Sequence, residues 1–325
     1  MAGPWLSVVV PARDAAGSLA RCLGSWAAAG GRGVEVVVVD DGSRDHTLAE
    51  ARRLGRELPL AVRVLSQPRL GPGAARNLGL GQAWGEVVLF SDPGSAAPPH
   101  LPARLRELFS QPDLAGAGGG LRPAAADSPV ARLMALELAF DTTSPVEEPD
   151  ACPLMSCAAF RREAVLAAGG CDESLGGFGA RDRELCSRLA AAGGRLVFDP
   201  ELWVVAELPA TWRQAWAAET ARGRRRYQDL RQGRSLPPGS HLQPALVILA
   251  AGFLVALWPQ DPVRAGTLAL LALLLLYPTN HRFLKFVVGS EPGLVRHALA
   301  MCLWRPAAWT AGMLSAAAAR LGAGR

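Results

Sequence analysis

The chain has 325 residues, is half hydrophobic and 19% charged, and carries a formal net charge of +5. That composition excludes a disordered chain, and the length gives ample core for one large domain or two smaller ones. Lys285 is the single lysine, so arginine supplies the basicity in a chain also rich in Ala and Gly, and the charge by itself gives no reason to expect a nucleic-acid partner.

Taken in chain order, residues 6–10 read as a strand, 18–29 as a helix, 34–39 as a second strand, 46–56 as a second helix and 62–66 as a third strand. A helix over 74–83 and a strand over 86–90 follow. This alternation predicts an α/β fold with a mainly parallel sheet and helices on both faces. The second strand is the most informative: four consecutive valines, Val36 to Val39, run into Asp40 and Asp41. Acids at the carboxyl end of a strand buried on both faces sit where open α/β sheets take their ligands. The Pro- and Ala-rich stretch 122–152 suits loops and one helix, and helical periodicity returns over 158–168 and 183–192.

Beyond the turn-rich segment Ser235-Leu236-Pro237-Pro238-Gly239-Ser240 the chain becomes apolar, with nearly uncharged runs over 244–259 and 263–278. Each run is shorter than the roughly 20 residues an upright spanning helix needs. A membrane-spanning hairpin turning at Gln260-Asp261-Pro262 is the expected arrangement, with a re-entrant or interfacial pair as the competitor. Residues 294–321 mix tryptophans and arginines as an interfacial helix or third span would. Arg222, Arg224, Arg225, Arg226, Arg231 and Arg234 precede the first apolar run, as a cytoplasmic juxtamembrane segment facing anionic headgroups would, or as a solvated basic helix end. Six cysteines stand without CxxC spacing, and no secretory leader precedes the first strand, which suggests reduced, cytosolic thiols.

Five motifs occur in order: Ser7-Val8-Val9-Val10-Pro11-Ala12-Arg13-Asp14; Val39-Asp40-Asp41-Gly42-Ser43-Arg44-Asp45; Gly71-Pro72-Gly73-Ala74-Ala75-Arg76-Asn77-Leu78-Gly79; Gly85-Glu86-Val87-Val88-Leu89-Phe90-Ser91-Asp92; and Gly169-Gly170-Cys171-Asp172-Glu173 with Arg181-Asp182-Arg183-Glu184-Leu185 beyond it. The Gly71-Pro72-Gly73 stretch follows the third strand, where a dinucleotide fingerprint would follow the first, so a nicotinamide enzyme is not expected. Over residues 5 to 230 the ordered set resembles the family 2 glycosyltransferases with the GT-A fold. The resemblance and the apolar runs beyond it together frame the chain as a GT-A domain over 1–235, a linker over 236–243, a transmembrane or re-entrant hairpin over 244–278 and an interfacial or third membrane helix over 279–325.

The resemblance implies an inverting transfer of a sugar from a nucleotide diphosphate sugar, and the basic collar joined to the apolar hairpin adds the expectation of a lipid or cell-envelope acceptor and of a catalytic domain facing the cytoplasm at the inner membrane. It implies that Pro11, Ala12 and Arg13 frame the nucleotide base, that Asp41 with Asp40 beside it hydrogen-bonds the base, and that Arg76 reaches the nucleotide. Asp182 matches the general base that takes the acceptor hydroxyl proton. Read without the resemblance, Asp40 and Asp41 also fit turn chemistry, and Asp182 a helix N-terminal acid.

Three positions depart from the family pattern. Arg181 replaces the usual acid before Asp182. The family's Asp-x-Asp holds Mg²⁺ or Mn²⁺ on the diphosphate, and here it reads Asp92-Pro93-Gly94, with Gly94 in the place of the principal ligand. Glu207 stands where many members place a His, which makes Asp92 and Glu207 the candidate metal pair, with neutralisation of the diphosphate by arginines as the other possibility. These departures also leave room for a catalytically impaired nucleotide-sugar-binding or scaffold protein of the same fold.

Overall fold

The computed structural model describes residues 3–30, 33–124, 127–143, 157–173, 180–231, 242–274 and 276–323. By compactness the chain divides into two units, Met1–Ala124 with Pro145–Glu207, and Ala125–Ser144 with Leu208–Arg325. The division therefore falls at Glu207 instead of at the expected 235/236 boundary. Of the linker read from the sequence, residues 236–241 lie outside the described residues and Leu242 already begins a helix.

The first unit is built on one sheet. Strands β1 (Leu6–Ala12), β2 (Val34–Asp41), β3 (Ala61–Gln67) and β4 (Val87–Ser91) run parallel in the order β3-β2-β1-β4. The order continues through β7 (Cys157–Arg161), β6 (Leu114–Pro123), β8 (Arg195–Ala206) and the short β5 (Ser95–Ala96). Here the sheet is mixed: β7 is antiparallel to β4 and β6, while β6 and β8 are parallel. Alternate valines of β1 and β2 feed two cores. Val8, Val10, Val36 and Val38 pack with helices α1 (Ala16–Gly30), α2 (Thr47–Glu57) and α4 (Leu101–Leu108). Val9, Val37 and Val39 pack with α3 (Pro72–Gln82), α6 (Arg162–Ala167) and α7 (Ala180–Ala191). That two-sided demand is why the strand reads as an unbroken apolar run.

One expectation needs correction on this side of the chain. The stretch 158–168, read as one helix, begins as β7 and becomes helical only at Arg162. Cys157 to Phe160 are all buried between β4 and β6, and pairing on both sides overrides the helical preference of their alanines. Strand β6 is glycine-rich because a Cβ at Gly119 would lie 1.5 Å from the Leu202 carbonyl oxygen of β8. At the amino-terminal end of β1 and β2, buried Glu35 accepts hydrogen bonds from Ser7 Oγ (2.6 Å) and Trp84 N (2.7 Å), closing the edge of the sheet away from the site.

The second unit is helical: α5 (Pro129–Thr143), α8 (Trp212–Arg231), α9 (Leu242–Leu257), α10 (Pro262–Leu274), α11 (Leu276–Ser290) and α12 (Val295–Ala323). Helices α8 and α12 approach closely enough that a Cβ at Gly312 would meet the Thr220 carbonyl oxygen at 2.1 Å. Buried Glu219 on α8 accepts the Trp309 indole N–H of α12 (2.6 Å) and an Arg222 N–H (2.9 Å). Arg305 pairs with Glu137 of α5 at 2.6 Å.

Helices α9 and α10 form the expected hairpin around residues 258–261, yet no helix among the described residues is long and apolar enough to cross a membrane. At 16 residues, α9 reaches about 24 Å against a hydrocarbon core of about 30 Å. The expected transmembrane helices are thus not found. The basic collar is partly consumed within the unit: Arg222 pairs with Glu219, Arg224 donates to Ser315 Oγ at 3.2 Å, and the Arg226 guanidinium lies 3.7 Å over the Trp309 ring. The side chains of Arg225, Arg231 and Arg234 lie outside the described residues.

Candidate active site

The loops at the carboxyl edge of β1 and β2 are tied together by their own polar side chains. Asp14 adopts a left-handed backbone conformation (φ 48°), donates its N–H to Ser43 Oγ at 3.0 Å and accepts the Arg44 N–H on Oδ1 at 2.8 Å. Thr47 Oγ1 accepts the Ala15 N–H (2.7 Å), and Asp45 Oδ2 accepts the Ala16 N–H (3.2 Å). Asp45 Oδ1 receives both the N–H and the hydroxyl of Thr47. The Thr47 hydroxyl bond holds the Asp45 carboxyl below its ordinary pKa, because a donated hydrogen bond favours the charged form. Pro11 and Ala12 complete β1, paired with Val39 and Asp40. Arg13 follows them, 3.7 Å from Asp14, with its Nε buried and without a hydrogen-bond partner.

Asp40 and Asp41 are both 4% exposed and face opposite sides of the sheet, and the structure gives them different work. Asp41 Oδ1 accepts hydrogen bonds from Gln67 Nε2 (2.8 Å), Leu70 N (2.8 Å) and Gly71 N (3.0 Å), so it organises the turn that starts α3. Asp41, to which the resemblance gave the base first, thus spends this oxygen on the protein itself. Asp40, in register between Ala12 and Ser66, has a buried Oδ1 with no partner in the protein. An unsatisfied buried carboxylate oxygen is costly and calls for a donor from outside the chain.

Arg76, on the second turn of α3, is 5% exposed, and its Nε is likewise buried without a hydrogen-bond partner. Its guanidinium lies 5.9 Å from the Phe90 ring centroid, and one of its terminal nitrogens is 3.8 Å from Asp92 Oδ1. Asp92 opens the turn after β4. On the other flank of that turn Arg21 of α1 donates to the Gly94 carbonyl at 2.7 Å and lies 2.9 Å from Glu207 Oε1. Sequence reading singled out Arg76 but missed Arg21, whose position in an amphipathic helix gives no local signal.

The two candidate metal ligands, Asp92 and Glu207, therefore each have an arginine beside them. Gly94 carries no side chain, and among the described residues no three His, Cys, Asp or Glu side chains form a group able to hold a metal ion. This donor set does not fit a divalent cation, which needs several oxygen ligands and is repelled by guanidinium.

Asp182 lies in the first turn of α7, and its side chain is outside the described residues. The helix is anchored by Arg188, which donates to the carbonyls of Ala168 and Gly170 and pairs with Glu184. The same turn is gripped from α3: Asn77 accepts the Cys171 N–H at 2.7 Å and donates to the Cys171 carbonyl and the Glu173 carboxylate, both at 2.8 Å. Asn77 thus orders the turn ahead of α7.

Residues 7–167 match the family model described as glycosyl transferase family 2. An uncharacterized glycosyltransferase of Nostoc sp. is 33% identical over 111 residues, 34% of each chain. The succinoglycan biosynthesis protein ExoO of Rhizobium meliloti is 35% identical over 123 residues, 35% of this chain and 31% of that one. The chain thus spans about a third of the length of the curated relatives it matches. Among solved structures, the mannosyltransferase PcManGT of Pyrobaculum calidifontis, in complex with GDP-Man and Mn²⁺, is 22% identical with a TM-score of 0.57, covering 97% of this chain and 88% of that one, a likeness of fold.

Proposed function

The first unit belongs to the family 2 glycosyltransferases, and on that premise we propose that the chain moves a sugar from a nucleoside diphosphate sugar to a hydroxyl of a lipid-linked or other cell-envelope acceptor, with inversion at the anomeric carbon. The observation that carries the reading is the pair of buried, unpartnered polar atoms at the carboxyl edge of the sheet, Asp40 Oδ1 and Arg76 Nε. A nucleotide answers both demands: a base N–H supplies the donor Asp40 lacks, and a phosphate or base edge supplies the acceptor Arg76 lacks. Pro11 and Ala12 lie on the neighbouring strand, Ala12 in register with Asp40, and with Arg13 just beyond them they are the residues this reading gives to the base.

Asp182 is the general base of this reading. Its carboxylate takes the proton of the acceptor hydroxyl as that oxygen attacks the anomeric carbon from the face opposite the departing nucleoside diphosphate. Asn77 and Arg188 hold the preceding turn and so fix where α7 begins.

The membrane part of the reading is supported by the second unit taken by itself. Ile248, Leu249, Val255 and Trp258 of α9 and its turn are exposed, with Val263, Leu270 and Leu271 of α10, and α9 contains no charged residue. Such a face supports shallow seating in the cytoplasmic leaflet of the inner membrane, without a span.

The test is calorimetric titration of the purified chain with a panel of UDP- and GDP-sugars, beside Asp40→Asn. One sugar nucleotide should bind and lose at least tenfold in affinity on that substitution. Binding by no member of the panel sinks the reading, and binding without turnover on any acceptor lipid favours an impaired, nucleotide-sugar-binding relative. Flotation with anionic vesicles should carry the full chain upward, and Val255→Glu with Val263→Glu should leave it at the bottom; flotation of that double variant removes the membrane part.

A further inference from the structure

We propose that Arg21 and Arg76 supply the positive charge that a divalent ion brings to a departing nucleoside diphosphate in related sites, so that this chain binds and uses its donor without a metal. The inference rests on the nucleotide-sugar reading above and deepens it. The turn Asp92-Pro93-Gly94-Ser95 is flanked by two guanidiniums: Arg76 lies 3.8 Å from Asp92 Oδ1, and Arg21 donates to the Gly94 carbonyl at 2.7 Å.

Gly94 holds the position of the missing second acid, and a Cβ there would meet nothing within 4 Å. The absent carboxylate therefore leaves open space beside a cation. Glu207, the remaining acid on that flank, is ion-paired with Arg21 at 2.9 Å, so it steadies a guanidinium instead of waiting for a metal. Arg76 is 5% exposed with an unpartnered Nε, and Arg21 has a side chain 32% exposed, so both retain donors for phosphate oxygens. During transfer the bond between the anomeric carbon and the β-phosphate oxygen breaks and its electron pair stays on that oxygen. The acceptor oxygen forms the new bond, its proton passes to Asp182, and the two guanidiniums offset the charge left on the diphosphate.

The experiment titrates the full chain with UDP, GDP, uridine and guanosine, once in chelator and once in Mn²⁺. Diphosphate affinity should be the same in both. Arg21→Gln should weaken the diphosphate by about ten- to a hundredfold and leave the nucleoside unchanged, with Arg21→Lys between the two. Diphosphate binding that appears only with Mn²⁺ overturns the inference and leaves the nucleotide-sugar reading standing. Unaltered diphosphate affinity in Arg21→Gln overturns it as well, and binding of no nucleoside or nucleotide overturns both. Should Arg21→Gln fail to fold, the comparison of chelator with Mn²⁺ on the unaltered chain decides alone.

Discussion

Replacing each of the adjacent acids of β2 by its amide should separate stability from binding. Asp41 Oδ1 collects three donors, from Gln67, Leu70 and Gly71, and Oδ2 meets the Gly71 N–H again at 3.0 Å. Hydrogen bonds to a charged acceptor are about twice as strong as neutral ones, so Asp41→Asn gives up about 0.7 kcal/mol on each of three bonds and turns an amide N–H toward that of Gly71. The expected loss is about 2 kcal/mol. Asp40→Asn removes a carboxylate whose Oδ1 is buried and unpartnered, so stability should hold or rise by about 1 kcal/mol, while nucleotide affinity falls at least tenfold. Urea denaturation followed by tryptophan fluorescence gives the first quantity and nucleotide titration the second. If Asp40→Asn destabilises the fold as much as Asp41→Asn, or binds nucleotide as the parent does, the division of labour between the two acids is wrong.

The remaining expectations are more compact. Gly94→Asp meets no steric obstacle and places a carboxylate two residues from Asp92, so nucleotide affinity should fall in chelator and recover with Mn²⁺; indifference to metal in that variant would show that the turn cannot assemble a site. Asp182→Asn should abolish transfer while sparing donor binding, and full activity would remove the residue from the base role. Burial pushes the thiols of Cys22 and Cys157 up to about 12, with Asp92 adding to the shift at Cys22, so both should resist alkylation at pH 8 until the chain unfolds; rapid labelling of either by mass spectrometry in the native state contradicts that. Asp45 has a depressed folded pKa from the Thr47 hydroxyl, so its contribution is present above the unfolded value of about 3.9 and is lost as pH falls through the lower folded value. Thr47→Val should therefore cost stability at neutral pH and cost less in strong acid, where only the lost acceptor for the Ala15 N–H remains, and a gap that persists unchanged below pH 2 would refute the linkage.

The parallel half of the sheet was legible because each of its strands and helices announces itself locally. Val36 to Val39 can be read as a strand from their own residue types, and the periodic residues of α1 and α2 need no partner to be recognised. The mixed half was not. Strand β7 is made of Cys-Ala-Ala-Phe and β6 of a glycine-rich run, types with helical or no preference, and both are strands because of what lies beside them. Gly119 is there because Leu202, more than eighty positions on, leaves no space for a side chain. At the site, the residue types were visible and their division was not: two adjacent acids look alike in a sequence, and only the donors supplied by the turn before α3 distinguish Asp41 from Asp40. Arg21 was invisible for the same reason, since its partners Gly94 and Glu207 are distant in the chain.

The motif residues fall into two physical classes, and the distinction decides what each departure from the family pattern means. Asp14, Ser43, Asp45, Thr47, Asp41 and Asn77 spend their polar groups on other loops, so they set the shape of the carboxyl edge of the sheet before any ligand arrives. Asp40 and Arg76 keep unsatisfied atoms in the interior, a cost that a preorganised pocket recovers only on binding. The departures at Gly94 and Glu207 belong to neither class. They leave the loop lacing and the two unsatisfied groups untouched and change only which charge faces the leaving group. A site that had merely decayed would be free to lose its expensive groups first, because nothing would repay a buried, unpartnered carboxylate oxygen. Here those are the ones that remain, and the changed positions are both in contact with a single cation, Arg21.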